Sequence, residues 1–333
     1  MIEGVKNFII TPNTPEKESR KAARKARRAA NFEFRKQNTI SGYIASVPDT
    51  IISGIALFGL NKPAMKMMQK LSSNLTPEEN ANVINSFEKA FNESDLSKKG
   101  TEIIRVNEKT VVLDTNPLSL LAEKIKNPKI KSFVKKAVNP IESAKAGENA
   151  FFNPIENKLI LPESKLSLSN FHEMGHALNC NQSKMWSTVQ CLKPLKLLAP
   201  VVASAALFMN KKEETPEHKL TAKDKAINAF RAVAPYTVAA ACLPEVAEEI
   251  TASIKGQKIA NKVLPKNLAK KVMATNAIGA STYIVSATAL ALGTAVGIKV
   301  KDKVMAKRMA KAEAMQTDEN QKQLLRECKN DKL

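Results

Sequence analysis

Five residues, His172-Glu173-Met174-Gly175-His176, constrain this chain more than any other stretch. Histidines four apart lie one above the other on a helix, so both rings can aim a nitrogen at a common point while Glu173 projects beside them. With three histidines and 32 acidic residues in 333, such a match is expected by chance roughly 0.003 times. The flanks suit a buried helix: Leu166, Leu168, Phe171 and Leu178 supply apolar faces, and Gly175 permits close approach of another backbone.

The spacing is that of an H-E-x-x-H zinc site. Two neutral imidazoles hold Zn²⁺, a third protein ligand completes the cage, and an open fourth position holds a water whose pKa the metal lowers toward ~7. His172 and His176 are therefore expected metal ligands, and Glu173 the general base that takes the water's proton as it attacks a peptide carbonyl. The competing possibility is a structural helix whose histidines are merely hydrogen-bonded.

The third ligand is sought downstream. Leu243–Ser253 reads as a helix, with Pro244 at its start, acids in its first turns and no breaker before Gly256. Glu245 and Glu249 share a face that Ser253 continues. Glu249 is the expected ligand, with Ser253 one turn on in an orienting role; Glu245 is the alternative, with Glu249 then moving outward. His218 sits in a charged loop and reads as exposed. Tyr236 and Tyr283 are the available phenols for an oxyanion, and neither is assigned.

A net charge of +20 favours anionic surfaces, while 5% aromatic content argues against a base-stacking platform, so lipid headgroups are expected and nucleic acid is not. Four cysteines without C-x-x-C spacing read as thiols of a reducing compartment, and the first residues lack the pattern of a cleaved secretory signal. Uncharged runs cover 197–210 (14 residues), 232–244 (13) and 272–298 (27). Only the last reaches the ~20 residues a bilayer crossing needs; the others reach it only if Lys193, Lys196 and Arg231 snorkel. A hairpin of 197–244 dipping into the membrane would return Glu249 to the level of the histidines. Loop 211–226 carries five basic and four acidic residues between strongly basic flanks, which places the catalytic face toward the cytoplasm, in the expected setting of a bacterial cytoplasmic membrane.

In chain order, the expected units are a basic arm (1–36), an apolar membrane-associated segment (37–62) interrupted at Pro48-Asp49, and a helical region (63–146). That region contains a capping-box helix from Thr76 and a β-hairpin near 101–113. A metal-site core (147–271) follows, with a strand at Lys158–Leu161 whose edge would face the metal, then a transmembrane candidate (272–298) and a basic C-terminal helix and tail (299–333).

Taken together, Asn149-Ala150-Phe151, His172-Glu173-Met174-Gly175-His176 and Glu249-Ile250-Thr251-Ala252-Ser253 resemble the membrane-associated gluzincin-type zinc metallopeptidases. The last element is similar to their E-x-x-A-[DS] pattern. The families in question are the CAAX prenyl proteases, the heat-shock membrane proteases and the bacterial neutral zinc metallopeptidases. The resemblance implies a mainly α protein with a small β element, a zincin-like catalytic helix and a membrane-embedded helical hairpin. It also implies a membrane endopeptidase whose zinc is held by two histidines and a glutamate, acting on protein or peptide substrates. The sequence departs from the pattern in its short, polar spans and in Ser253, where many relatives carry an acid. The rival expectation is a non-catalytic membrane scaffold with a vestigial motif and lipid-binding basic ends.

Overall fold

Helical periodicity dominates the chain, and the computed structural model, which describes residues 15–54, 61–110, 124–128, 131, 140–163, 165–214 and 219–330, is mainly helical with one small sheet. Helix α1 (Pro15–Gly54) runs unbroken through Pro48. Gln37, Ser41 and Ala45, four residues apart on its inner face, are buried. Gln37 and Ser41 contact Arg308 and Met305 of the last helix, α10 (Lys266–Asn330). This part of the expected membrane segment thus presents one face to protein.

After α2 (Asn61–Ser73), the expected capping box opens α3 (Pro77–Glu93): the Thr76 hydroxyl accepts from the Glu79 amide, and the Glu79 carboxylate accepts from the Thr76 amide. The short α4 (Asp95–Lys98) leads into β1 (Glu102–Val106), and α5 (Pro140–Lys145) precedes β2 (Phe151–Asn153) and β3 (Lys158–Pro162). The sheet order is β1-β3-β2, with β1 parallel and β2 antiparallel to β3.

Two expectations change here. Asn107 and Thr110 do form a turn after β1, but β1 pairs with β3, 56 residues on; residues 111–113, the second arm of the expected hairpin, lie outside the described residues. The strand at 158–162 is central and offers no edge; β1 and β2 are the edge strands of the described sheet. The cause is two-sided burial. Leu159 and Leu161 enter the main core with Phe87, Phe171 and Met174, while Ile160 packs with Val106 and Ala144 on the other face, and a strand covered on both faces takes partners on both edges.

The motif helix α6 (Asn170–Gln182) is followed by α7 (Lys184–Leu192), a 3-10 segment (Lys193–Leu198), α8 (Ala199–Phe208), α9 (Ala222–Val263) and α10. Leu168 and Phe171 are fully buried, with Leu166 and Leu178 nearly so. Helix α9 starts at a Thr221–Asp224 capping box and runs through Pro235 and Pro244, so the expected start at Pro244 is interior to a 42-residue helix. Lys193 faces Glu248 and Glu249, Lys196 faces Glu245, and Lys212 meets Asn228, so the chain before α9 runs antiparallel to it.

Three stretches, Lys184–Phe208, Ala222–Val263 and Lys266–Ala312, are long and apolar enough to cross a membrane, and only 17–22% of their most apolar windows is buried. Apolar helices that keep their side chains on the outside point to membrane association. The three cations expected to snorkel are paired with carboxylates instead: Lys193 and Lys196 with the acids above, and Arg231 with Asp302. Pairing with internal carboxylates costs less than holding each charge alone beside lipid.

Candidate metal centre

Helices α6 and α9 touch backbone to backbone. A methyl on Gly175 would sit 2.0 Å from the Ala252 carbonyl oxygen, and one on Gly256 would sit 2.2 Å from the Phe171 carbonyl oxygen. Glycine at both contacts is what lets the helices come this close. Glu249 and Ser253, which flank Ala252 on α9, are thereby brought to the two histidines.

His176 Nε2 lies 2.9 Å from His172 Nε2, and Glu249 Oε2 lies 3.2 Å from His172 Nε2 and 3.3 Å from His176 Nε2. A tetrahedral ion with bonds of about 2.05 Å needs ligand atoms about 3.3 Å apart. The three atoms thus form one nearly ready face of a tetrahedron, and the two imidazoles and one carboxylate could hold a metal ion. Glu245 is not part of this triangle; its carboxylate pairs with Lys196. His218 lies outside the described residues.

The remaining ring nitrogens are also held. Ser253 Oγ lies 3.1 Å from His172 Nδ1, the orienting position expected for it. Glu248 Oε1 accepts from His176 Nδ1 at 2.7 Å and from Gln190 Nε2 and Asn179 Nδ2 at 2.8 and 3.1 Å, so both rings present Nε2 to the shared point. Lys193 Nζ completes the group, 3.0 Å from Glu248 Oε2 and 2.9 Å from Glu249 Oε1.

Glu248 as the partner of His176, and Lys193, Gln190 and Asn179 around it, were not expected. Asn179 could have been found, since it lies three residues beyond His176, on the same side of the helix. For Gln190 the sequence holds no signal.

Burial pulls the His176 ring toward neutrality, but the carboxylates of Glu249 and Glu248 outweigh it and push its pKa up to about 10. Burial raises the Glu173 carboxyl above its ordinary value against the pull of His176 and His172. Five carboxylate and imidazole side chains concentrated in so little water form a group that could hold a metal ion.

The centre opens on a cavity of about 980 Å³. Ala150, Phe151 and Phe152 at β2 line one wall, and Asn276 and Tyr283 of α10 line another. Tyr236 is 76% exposed, so Tyr283 is the phenol that shares a cavity with His172 and Glu173. Comparison with family models, with characterised proteins and with solved structures found no match to this chain.

Proposed function

We propose that the protein is a zinc-dependent hydrolase of the H-E-x-x-H class and, more particularly, a membrane-associated endopeptidase. The observation that carries this is the triangle of His172 Nε2, His176 Nε2 and Glu249 Oε2, 2.9–3.3 Å on a side, beside the buried carboxylate of Glu173. His172, His176 and Glu249 would hold the ion, and Glu245 would not. When bound, zinc supplies an acidified water and polarises the scissile carbonyl.

The rest is work for the chain's own side chains. Glu173 takes the proton released by the attacking water and returns it to the leaving amine, a task suited to a carboxyl whose proton affinity is raised by burial. Ser253 and Glu248 fix the ring orientations of His172 and His176. Edge strand β2 offers backbone groups on the cavity wall with which an extended peptide could pair. Tyr283 is the group available to donate to the carbonyl oxygen as it gains charge. The inference of a cytoplasmic catalytic face follows from the nearly neutral 211–226 loop between basic flanks.

The test is metal content and proteolysis of the full chain in detergent. Wild type should hold about one zinc and cleave unstructured casein-like peptides, and Glu173→Gln should keep the zinc while losing about 10²–10⁴ in rate. Equal behaviour of wild type and Glu173→Gln would favour the non-catalytic scaffold.

A further inference from the structure

Lys193 heads the 3-10 segment that leads into α8, and among the described residues it is the cation that reaches both Glu248 and Glu249. Its Nζ donates to Glu249 Oε1 and Glu248 Oε2, at 2.9 and 3.0 Å. The two oxygens of Glu249 are thereby given different partners: Oε2 faces both imidazoles, while Oε1 is turned to the ammonium.

That division has a coordination consequence. A carboxylate can bind a cation through one oxygen or through both. An ammonium seated on Oε1 occupies its lone pair and draws off its charge, which leaves Oε2 as the stronger donor. If both oxygens bound, the position kept for water would be crowded. Glu248 forms the other arm: Oε2 accepts from Lys193 and Oε1 from His176 Nδ1, so one side chain steadies both the glutamate ligand and the carboxylate that orients a histidine ligand. Glu248 and Glu249 are adjacent on α9 and 0% and 3% exposed, and like charges so placed repel unless a cation lies between them.

We propose that Lys193 is a positioning residue of the metal centre, holding Glu249 to one-oxygen coordination so that the fourth position stays open. The inference rests on the zinc reading above and adds to it a residue outside the motif and outside the glutamate helix.

The test uses full-length protein in detergent with two readouts that need no catalysis: zinc affinity by competition with a chelator, and the visible absorption of the Co²⁺ form, which is strong for four-coordinate cobalt and weaker at higher coordination. Lys193→Met should weaken zinc binding about 10- to 100-fold and lower the cobalt absorbance, and Lys193→Arg should restore most of both. Lys193→Gln, which keeps an uncharged NH₂ donor and loses the positive charge, replaces the methionine variant if that one does not fold. Wild-type affinity and spectrum in the folded neutral variant would overturn the role of Lys193 alone. A wild-type protein that takes up neither ion would overturn the zinc reading and this one with it.

Discussion

Gly256→Ala places one methyl group seven residues from Glu249 and touches no ligand side chain, yet it should disable the centre. The added Cβ would sit 2.2 Å from the Phe171 carbonyl oxygen, 2.7 Å from the carbonyl carbon and 3.1 Å from the His172 amide nitrogen. All three are backbone atoms, so no rotamer change relieves the contact. Reaching even 3.0 Å requires α6 and α9 to part by 3.0 minus 2.2, or 0.8 Å. Metal–ligand bonds tolerate about 0.2 Å, so a shift four times larger separates Glu249 from the histidines. Alanine gains about 1 kcal/mol of helix propensity over glycine, and overpacking costs about 1–3 kcal/mol, so the net loss of stability is about 0–2 kcal/mol and the fold survives. Zinc affinity should fall at least about 10- to 100-fold, measured by chelator competition, with helicity followed by circular dichroism. Gly279→Ala is the control: it lines the same cavity, but its nearest neighbour is Met68 Sδ at 3.9 Å, so stability should rise and zinc binding should not change. Wild-type zinc affinity in folded Gly256→Ala would refute the claim that backbone contact sets the ligand triangle.

Other outcomes follow from the same geometry. Glu249→Gln should lose zinc by the same competition assay, whereas Glu245→Gln should retain it, because Glu245 is paired with Lys196 and stands outside the triangle. Tyr283→Phe should lower kcat about 100-fold on a model peptide while leaving zinc content unchanged; an unaltered kcat would remove the phenol from the reaction. In metal-free protein the folded-state pKa of His176 is raised to about 10, so its contribution to stability is complete below about pH 6.5 and is lost as pH rises toward 10. The melting temperature of chelator-treated protein should therefore fall across that window and that of the zinc-loaded protein should fall less; a flat curve for the stripped protein would contradict the assignment.

The local part of this architecture was legible in the residues. Spacing of four put His172 and His176 on one face, Thr76-Pro77-Glu78-Glu79 marked the start of α3, and alternation around Leu159–Leu161 marked β3, because each depends only on backbone periodicity within a turn or two. Long uncharged runs likewise marked three apolar helices. What the periodicity of a segment cannot carry is which distant surface it meets. That β1 pairs with β3, that α1 and α9 run through their prolines, that Glu245 turns to Lys196, and that Lys193 points to Glu248 and Glu249 was decided by tertiary packing, in the last two cases by that of α9 against its neighbours. The physical reason is that an ionic or metal-binding contact depends on separations of a few tenths of an ångström between side chains some 70 residues apart, and only the packing of whole helices determines those distances.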